Sequence, residues 1–278
     1  MTAWGIDISN HQAGADLSKA KAAGCSFVFA KAIEGLTYRD DHFAGFRAQA
    51  KALGLPFGAY HFARPQAGRT GDQEAAAFLA VAGKPDGLPH VLDLEDSKLS
   101  PQATTGWALD WLTTVHKATG VRPIVYTYSA FAQGHLYPST ALAAYPLWLA
   151  NYRTTPPPAP APWSSWLLWQ HTSTAKVPGI PGNCDRNQAS PTFQPAPLED
   201  DMTPEQAAQL DAIAKAVPTL LNKADGQTLR NDIGYIRDQI RGDLSTMSAQ
   251  QVADSIPDTL AQQVVDLLGA RLNTPKGA

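Results

Sequence analysis

"HVLDLEDS", residues 90–97, is a short apolar run interrupted by acids. Val91, Leu92 and Leu94 give it the look of a buried strand, yet Asp93, Glu95 and Asp96 set three acids into it. Side chains two apart on a strand share a face. Asp93 and Glu95 therefore project the same way, Leu94 turns to the other side, and Asp96 leads toward a loop. Two like charges held this close raise the pKa of one of them, and burial raises it further. One carboxyl can then keep its proton near neutral pH while its neighbour stays ionised. Glycoside hydrolysis needs that pairing of an acid with an anion. A structural carboxylate pair, or a pair of metal ligands, would look the same over these few residues.

Runs of the same kind recur on both sides: "AWGIDIS" (3–9), "SFVFAKA" (26–32), "PFGAYHFA" (56–63), "RPIVYTYS" (122–129), "PLWLANY" (146–152) and "WLLWQHT" (166–172). They are short, apolar and rich in aromatic or β-branched residues, as buried strands are. Helical patterns fall between them. In "DHFAGFRAQAKALG" the spacing puts Phe43, Phe46, Ala50 and Leu53 on one face, with Gly54 as the stop. "SPQATTGWALDWLTTVHKATG" predicts a helix capped by Ser100, opened by Pro101 and closed at Gly120, and "TGDQEAAAFLAVAG" predicts a third. After "VYTYS" the helical spacers shrink. About five β/α units followed by closely spaced strands predict an α/β fold, an irregular flattened barrel of the TIM kind.

In such a barrel, function gathers where the strands end. The runs end in polar or aromatic side chains: Asp7; Lys31 and Glu34; Tyr60 and His61; Asp93 and Glu95; Tyr126 and Tyr128; Trp148, Asn151 and Tyr152; Trp169 and Gln170. Any one of these could be a cap or a packing residue. Seven in succession at the same end point to a site, and aromatic faces there suit sugar rings.

Composition narrows the partners. The chain has 278 residues, 44% hydrophobic and 17% charged, with a net charge of -3. That leaves no basic footprint for nucleic acid. No apolar run reaches membrane-spanning length, so no stable membrane insertion is expected. "MTAWGIDISNHQ" has neither the basic start nor the apolar core of a secretory leader, which predicts synthesis in the cytoplasm. Cys25 and Cys184 read as small buried residues, and His11, His61, His90 and His171 lack metal-ligand spacing. No cofactor and no metal is expected.

At this point the blocks carry a resemblance. "GIDISNHQ", "FAKAIEG", "FGAYHFARP", "VLDLED", "VYTYS", "LWLANY" and "WQHTSTAKVPGIPGNCDRN" follow one another in an order that resembles glycoside hydrolase family 25, the muramidase type of lysozyme. The resemblance runs from residue 4 to about residue 190. It implies cleavage of the β-1,4 bond between N-acetylmuramic acid and N-acetylglucosamine in bacterial peptidoglycan. It also implies that Glu95 is the general acid, Asp93 its partner, and Asp7 and Asp185 the flanking acids. Lys31, Glu34, Tyr60, Tyr126, Trp148, Tyr152 and Gln170 follow as substrate-binding residues. Asp93 is either a covalent nucleophile or the group that orients the substrate's own 2-acetamido group, and the short acid spacing favours the second. The chain departs from the family pattern at Ile33, Cys184 and Arg186.

Beyond residue 192 the character changes. All 7 Trp lie at or before Trp169, and a proline-rich, acidic stretch over 193–201 reads as a linker. Over 202–278 narrow apolar seams appear, such as Leu210, Ile213, Val217 and Leu220, then Leu229, Ile233, Ile236 and Ile240. They predict a small all-α module that joins copies of the chain into a homo-oligomer or binds the cell wall. A muramidase without a leader and with such a module fits a phage endolysin, released to the wall when the membrane is breached. The alternatives are a chitinase-like glycosidase, whose longer acidic strand signature is absent, and a catalytically weak wall-binding barrel, although all four acids are present.

Overall fold

The computed structural model describes residues 3–195. The helical module expected over 202–278 lies outside the described residues, as does most of the expected linker.

Nine strands are present among the described residues: β1 (Trp4–Ile8), β2 (Val28–Glu34), β3 (Tyr38–Arg39), β4 (Phe57–Phe62), β5 (Val91–Asp93), β6 (Ile124–Tyr128), β7 (Leu147–Ala150), β8 (Leu168–Ala175) and β9 (Cys184–Ala189). The hydrogen-bonded order β1-β9-β8-β7-β6-β5-β4-β2 closes on itself through a β1–β2 pairing, and β3 extends the edge of β2 as a short hairpin. Seven strands run parallel, while β9 is antiparallel to both β8 and β1. The expected irregular barrel is therefore present. It closes through a reversed last strand that hydropathy alone did not reveal.

Helices α1 (Leu17–Ala22), α2 (Phe43–Ala52), α3 (Gly71–Ala82), α4 (Pro101–Thr119), α5 (Ser129–His135) and α6 (Thr140–Ala143) fill the connections. Their boundaries follow local chemistry. Ser100 caps α4 by accepting from the Ala103 N–H, Pro101 supplies a preset φ at the first turn, and Gly120 ends it at φ +72°. Three of the four residues expected on one face of α2, Phe43, Phe46 and Ala50, are buried.

Period-two alternation divides the strands between two cores. Ile6, Ile8, Val28, Ala30, Leu92, Val125, Leu147 and Leu149 face outward and pack under the helices. Phe29, Val91, Ile124, Trp148 and Leu168 face inward and, with Phe27 and Phe193, fill the barrel. Two glycines make room for this filling. A Cβ on Gly5 would lie 2.3 Å from the Phe27 ring, and one on Gly58 would lie 2.4 Å from the Phe29 ring. The inward positions one step further along each strand open at the top, and there the polar residues sit.

Candidate active site

A single cleft at that end is lined by residues from eight strands and the loops beyond them. They include Asp7, Lys31, Tyr60, Asp93, Glu95, Tyr126, Trp148, Tyr152, Gln170 and Asp185. Ten of the eleven residues expected at the site therefore share one wall or floor. Glu34 is the exception. A bulge between Lys31 and Ile33 breaks the alternation of β2, sends Ile33 into the outer core, and leaves Glu34 beside Lys31, with Oε2 2.5 Å from its Nζ. Glu34 thus meets the site through Lys31 and does not line the cleft. His61, adjacent to Tyr60, points outward and is buried against Glu74, with Nε2 3.2 Å from Oε2. Ser9, His11, Gln12 and Phe62 also line the cleft.

Four carboxyl groups converge from three strands. Asp7 comes from β1 and Asp185 from the start of β9, and these two are register partners. Asp93 is the last residue of β5, and Glu95 lies just past it. The Leu94 N–H still donates to Tyr126 O at 2.9 Å, so the strand geometry runs one residue beyond the formal strand and Glu95 reaches the same cleft.

Asp7 is buried and held by amides. Gln170 Nε2 donates to both its oxygens, at 3.1 and 3.0 Å, and Asn187 Nδ2 donates to Oδ2 at 2.8 Å. Those amides are oriented in turn. Gln170 Oε1 accepts from the hydroxyls of Tyr126 and Tyr152, and Asn187 Oδ1 accepts from Trp148 Nε1. Burial raises the Asp7 pKa, and the amide donors counter it. Asp185, less buried, has its pKa raised to about 8 by burial and then by the charge of Asp7. The pair therefore holds one proton near neutral pH, carried by Asp185 and shared with Asp7.

Asp93 is more deeply buried than Glu95, and one of its oxygens, Oδ1, is buried without a hydrogen-bond partner. Burial, then the charge of Glu95, push the Asp93 pKa well above the ordinary carboxylate range. Glu95 is raised as well, by burial and then by Asp7, while Arg64 and Lys31 pull it down. Burial and mutual repulsion thus raise the pKa of all four carboxyls, with Lys31 as the one lysine or arginine among the cleft's lining residues. No group of three His, Cys, Asp or Glu side chains among the described residues is placed to hold a metal ion.

The departures around Asp185 are settled by strand alternation. Cys184 is a buried free thiol in the outer core, and Arg186 stacks over the Trp4 ring at 4.1 Å. Both turn away from the cleft and leave Asp185 facing in. Asn187 is the functional residue that the sequence reading passed over. It stands two residues after Asp185 on one strand, so the rule that paired Asp93 with Glu95 would have found it.

Comparison with known proteins agrees with this geometry. The family model for glycosyl hydrolases family 25 matches residues 6–180. The chain belongs to this family. It is a glycoside hydrolase of the lysozyme type. It is 34% identical over 196 residues to Lysozyme M1 of Streptomyces globisporus, an alignment spanning 66% of each protein. It is 33% identical over 187 residues to the N,O-diacetylmuramidase of Chalaropsis sp, covering 62% of this chain and 88% of that one. Among solved structures, the CTP1L endolysin is similar with a TM-score of 0.62 and 33% identity, covering 69% of this chain and 67% of that one.

Proposed function

We propose that this enzyme hydrolyses the β-1,4 bond between N-acetylmuramic acid and N-acetylglucosamine in bacterial peptidoglycan. The observation that carries the reading is the meeting of Asp7, Asp93, Glu95 and Asp185 in one cleft walled by tyrosine and tryptophan. Glu95 is the general acid. It lies nearer the solvent than Asp93, so it can regain a proton after each turnover. It gives that proton to the leaving oxygen as the anomeric carbon gains positive character.

Asp93 orients the substrate's acetamido group. Its partnerless oxygen suits an N–H from that group. With the N–H held, the acetamido carbonyl oxygen attacks the anomeric carbon and the glycosidic bond breaks. Water then opens the cyclic intermediate, with Glu95 taking back the proton. A covalent bond to Asp93 is the competing route, and walls stripped of N-acetyl groups separate the two. Acetamido participation predicts that stripped walls resist cleavage, whereas a covalent enzyme would still cut them.

The decisive experiment is digestion of purified walls followed by mass spectrometry of the new reducing ends. Muramic acid at those ends supports the reading. Glucosamine ends would point to a chitinase-like specificity, and absence of new ends to a wall-binding barrel. Glu95→Gln should lose at least about a hundredfold in rate, the scale of general acid catalysis.

The biological setting proposed is that of a phage endolysin. The likeness to the CTP1L endolysin supports it, and no helix among the described residues is long and apolar enough to cross a membrane. Cells making the protein should lyse only when the inner membrane is permeabilised; spontaneous lysis without permeabilisation would refute this setting. The module at 202–278 is proposed to join copies of the chain or to hold the enzyme on the wall.

A further inference from the structure

Glu95 stands on a segment whose position is set by its neighbours. On one side, the Leu94 N–H is bonded to β6. On the other, two ties reach the segment just after β4: the Lys98 N–H donates to Pro65 O at 3.0 Å, and Asp96 Oδ2 accepts from Arg64 Nη1 at 2.5 Å. Arg64 does not stop at Asp96. Its Nε and Nη2 both donate to Glu34 Oε1, at 3.0 and 2.7 Å, and Glu34 in turn holds Lys31. The guanidinium lies over the Phe62 ring at 4.5 Å, and the Arg64 backbone N–H donates to the fully buried Glu74. One side chain, rooted in the core, thus spans β2 and the segment carrying the acid.

We propose that Arg64 is a positioning residue for the reaction: it fixes the segment that carries Glu95 and supplies a cation beside it. The inference rests on the reading of Glu95 as the general acid. A planar fork with donors in three directions can hold Glu34 and Asp96 together, and a lysine ammonium at the same place cannot. The charges facing Glu95 are those of Asp7 on β1, Lys31 on β2, Asp93 before it, Asp96 after it, Asp185 on β9 and Arg64 itself, with the hydroxyls of Tyr126 and Tyr152 nearby. Among these, Arg64 and Lys31 favour the ionised acid, and Asp7 and Asp96 oppose it.

The opposite signs of Arg64 and Asp96 make the test sharp. Rates on soluble glycan strands would be measured against pH for the full chain and for Arg64→Lys, Arg64→Gln and Asp96→Asn, with thermal unfolding as the check on folding. Loss of the fork should lower kcat about tenfold in all three, with KM within about twofold, as a small misplacement of a reacting group does. The alkaline limb, where the acid loses its proton, should stay in place for Arg64→Lys. It should move up by about half a pH unit for Arg64→Gln and down for Asp96→Asn. A residue that merely braces the fold would move neither limb. In a Glu95→Gln background, Arg64→Gln should leave the residual rate unchanged. An equal loss in both backgrounds overturns the proposal while leaving the acid assignment intact. If Glu95→Gln alone keeps the wild-type rate, the assignment fails and the proposal with it. Should the Arg64 variants not fold, Asp96→Asn decides through the rate, because it cuts the tie between Arg64 and the segment; an unchanged kcat overturns the proposal.

Discussion

Asp185→Asn should stabilise the barrel near neutral pH and leave it almost unchanged near pH 4. The folded protein raises the Asp185 pKa from the ordinary 3.8 to about 8. Between those values the folded state keeps a proton that the unfolded chain has released. Stability then falls as pH rises through that window, because the folded state binds more protons. Holding the proton at pH 7 costs about 4 kcal/mol for a shift of this size, against roughly half a kcal/mol at pH 4. Asp7 bears part of this cost, since one proton serves both carboxyls, so about 2 kcal/mol is the gain expected from the substitution at pH 7. An asparagine at this position is neutral at both pH values and still offers Asp7 an N–H. For a barrel of this size the gain corresponds to roughly 4–8 °C in Tm. Urea unfolding at pH 4 and pH 7, followed by tryptophan fluorescence, reads the barrel alone, because all 7 Trp lie at or before Trp169. Catalysis should fall even as stability rises. An equal gain at both pH values, or a loss at pH 7, would show that the Asp7–Asp185 pair does not hold a proton in the folded state.

Asn187→Ala should cost about 2–3 kcal/mol, because it removes a donor from Asp7 and leaves Trp148 Nε1 buried without an acceptor; urea midpoints measure it, and a change below about half a kcal/mol would contradict the network. Gly71→Ala should destabilise by at least about 2 kcal/mol, since its Cβ would lie 2.0 Å from Trp107 O and 2.8 Å from Trp111 N, where α3 meets α4. Gly106→Ala, within α4 and with nothing inside 4 Å of its Cβ, should instead gain about 0.5–1 kcal/mol, and calorimetry on the two variants tests the contrast. A chain ending at Pro195 should cut soluble glycan at the full rate per site yet lyse intact cells far more slowly, because avidity at an insoluble wall is worth ~10²–10⁴; equal loss on both substrates would mean that the module braces the barrel.

The strands were legible where burial on both faces left a continuous apolar run. β4 and β7 carry "FGAYHF" and "LWLA", and their neighbours in the sheet are similar. β9 was not legible. In "CDRNQA", Asp185 points into the cleft and Asn187 into the barrel beneath it, while Cys184 and Arg186 point out, so polar groups lie on both faces and hydropathy is silent. β3 has two residues and α1 six, too short for any periodic signal. The helices were legible through their caps, as at Ser100 and Gly120. Glu34 shows the limit of strand-end reasoning, because the bulge that moves it leaves no mark in the sequence.

The same geometry explains why Asp185 could be reached only through the family resemblance. On the seven parallel strands, the C-terminal end faces the cleft, and inspection of run ends leads to Asp7, Lys31, Tyr60, Asp93, Tyr126, Trp148 and Gln170. On β9 the direction is reversed. Its C-terminal Ala189 packs into the closed bottom of the barrel, and its opening residues meet the cleft. A rule that looks for function where strands end therefore looks at the wrong end of this one. The antiparallel closure is also what makes the fourth acid useful. It sets Asp185 directly across from Asp7 in register, close enough for two carboxyls to share a proton, whereas a parallel closing strand would begin at the bottom of the barrel and leave Asp7 facing a strand end of its own kind. The facing of Asp7 by Asp185 is thus a consequence of one reversal in the chain.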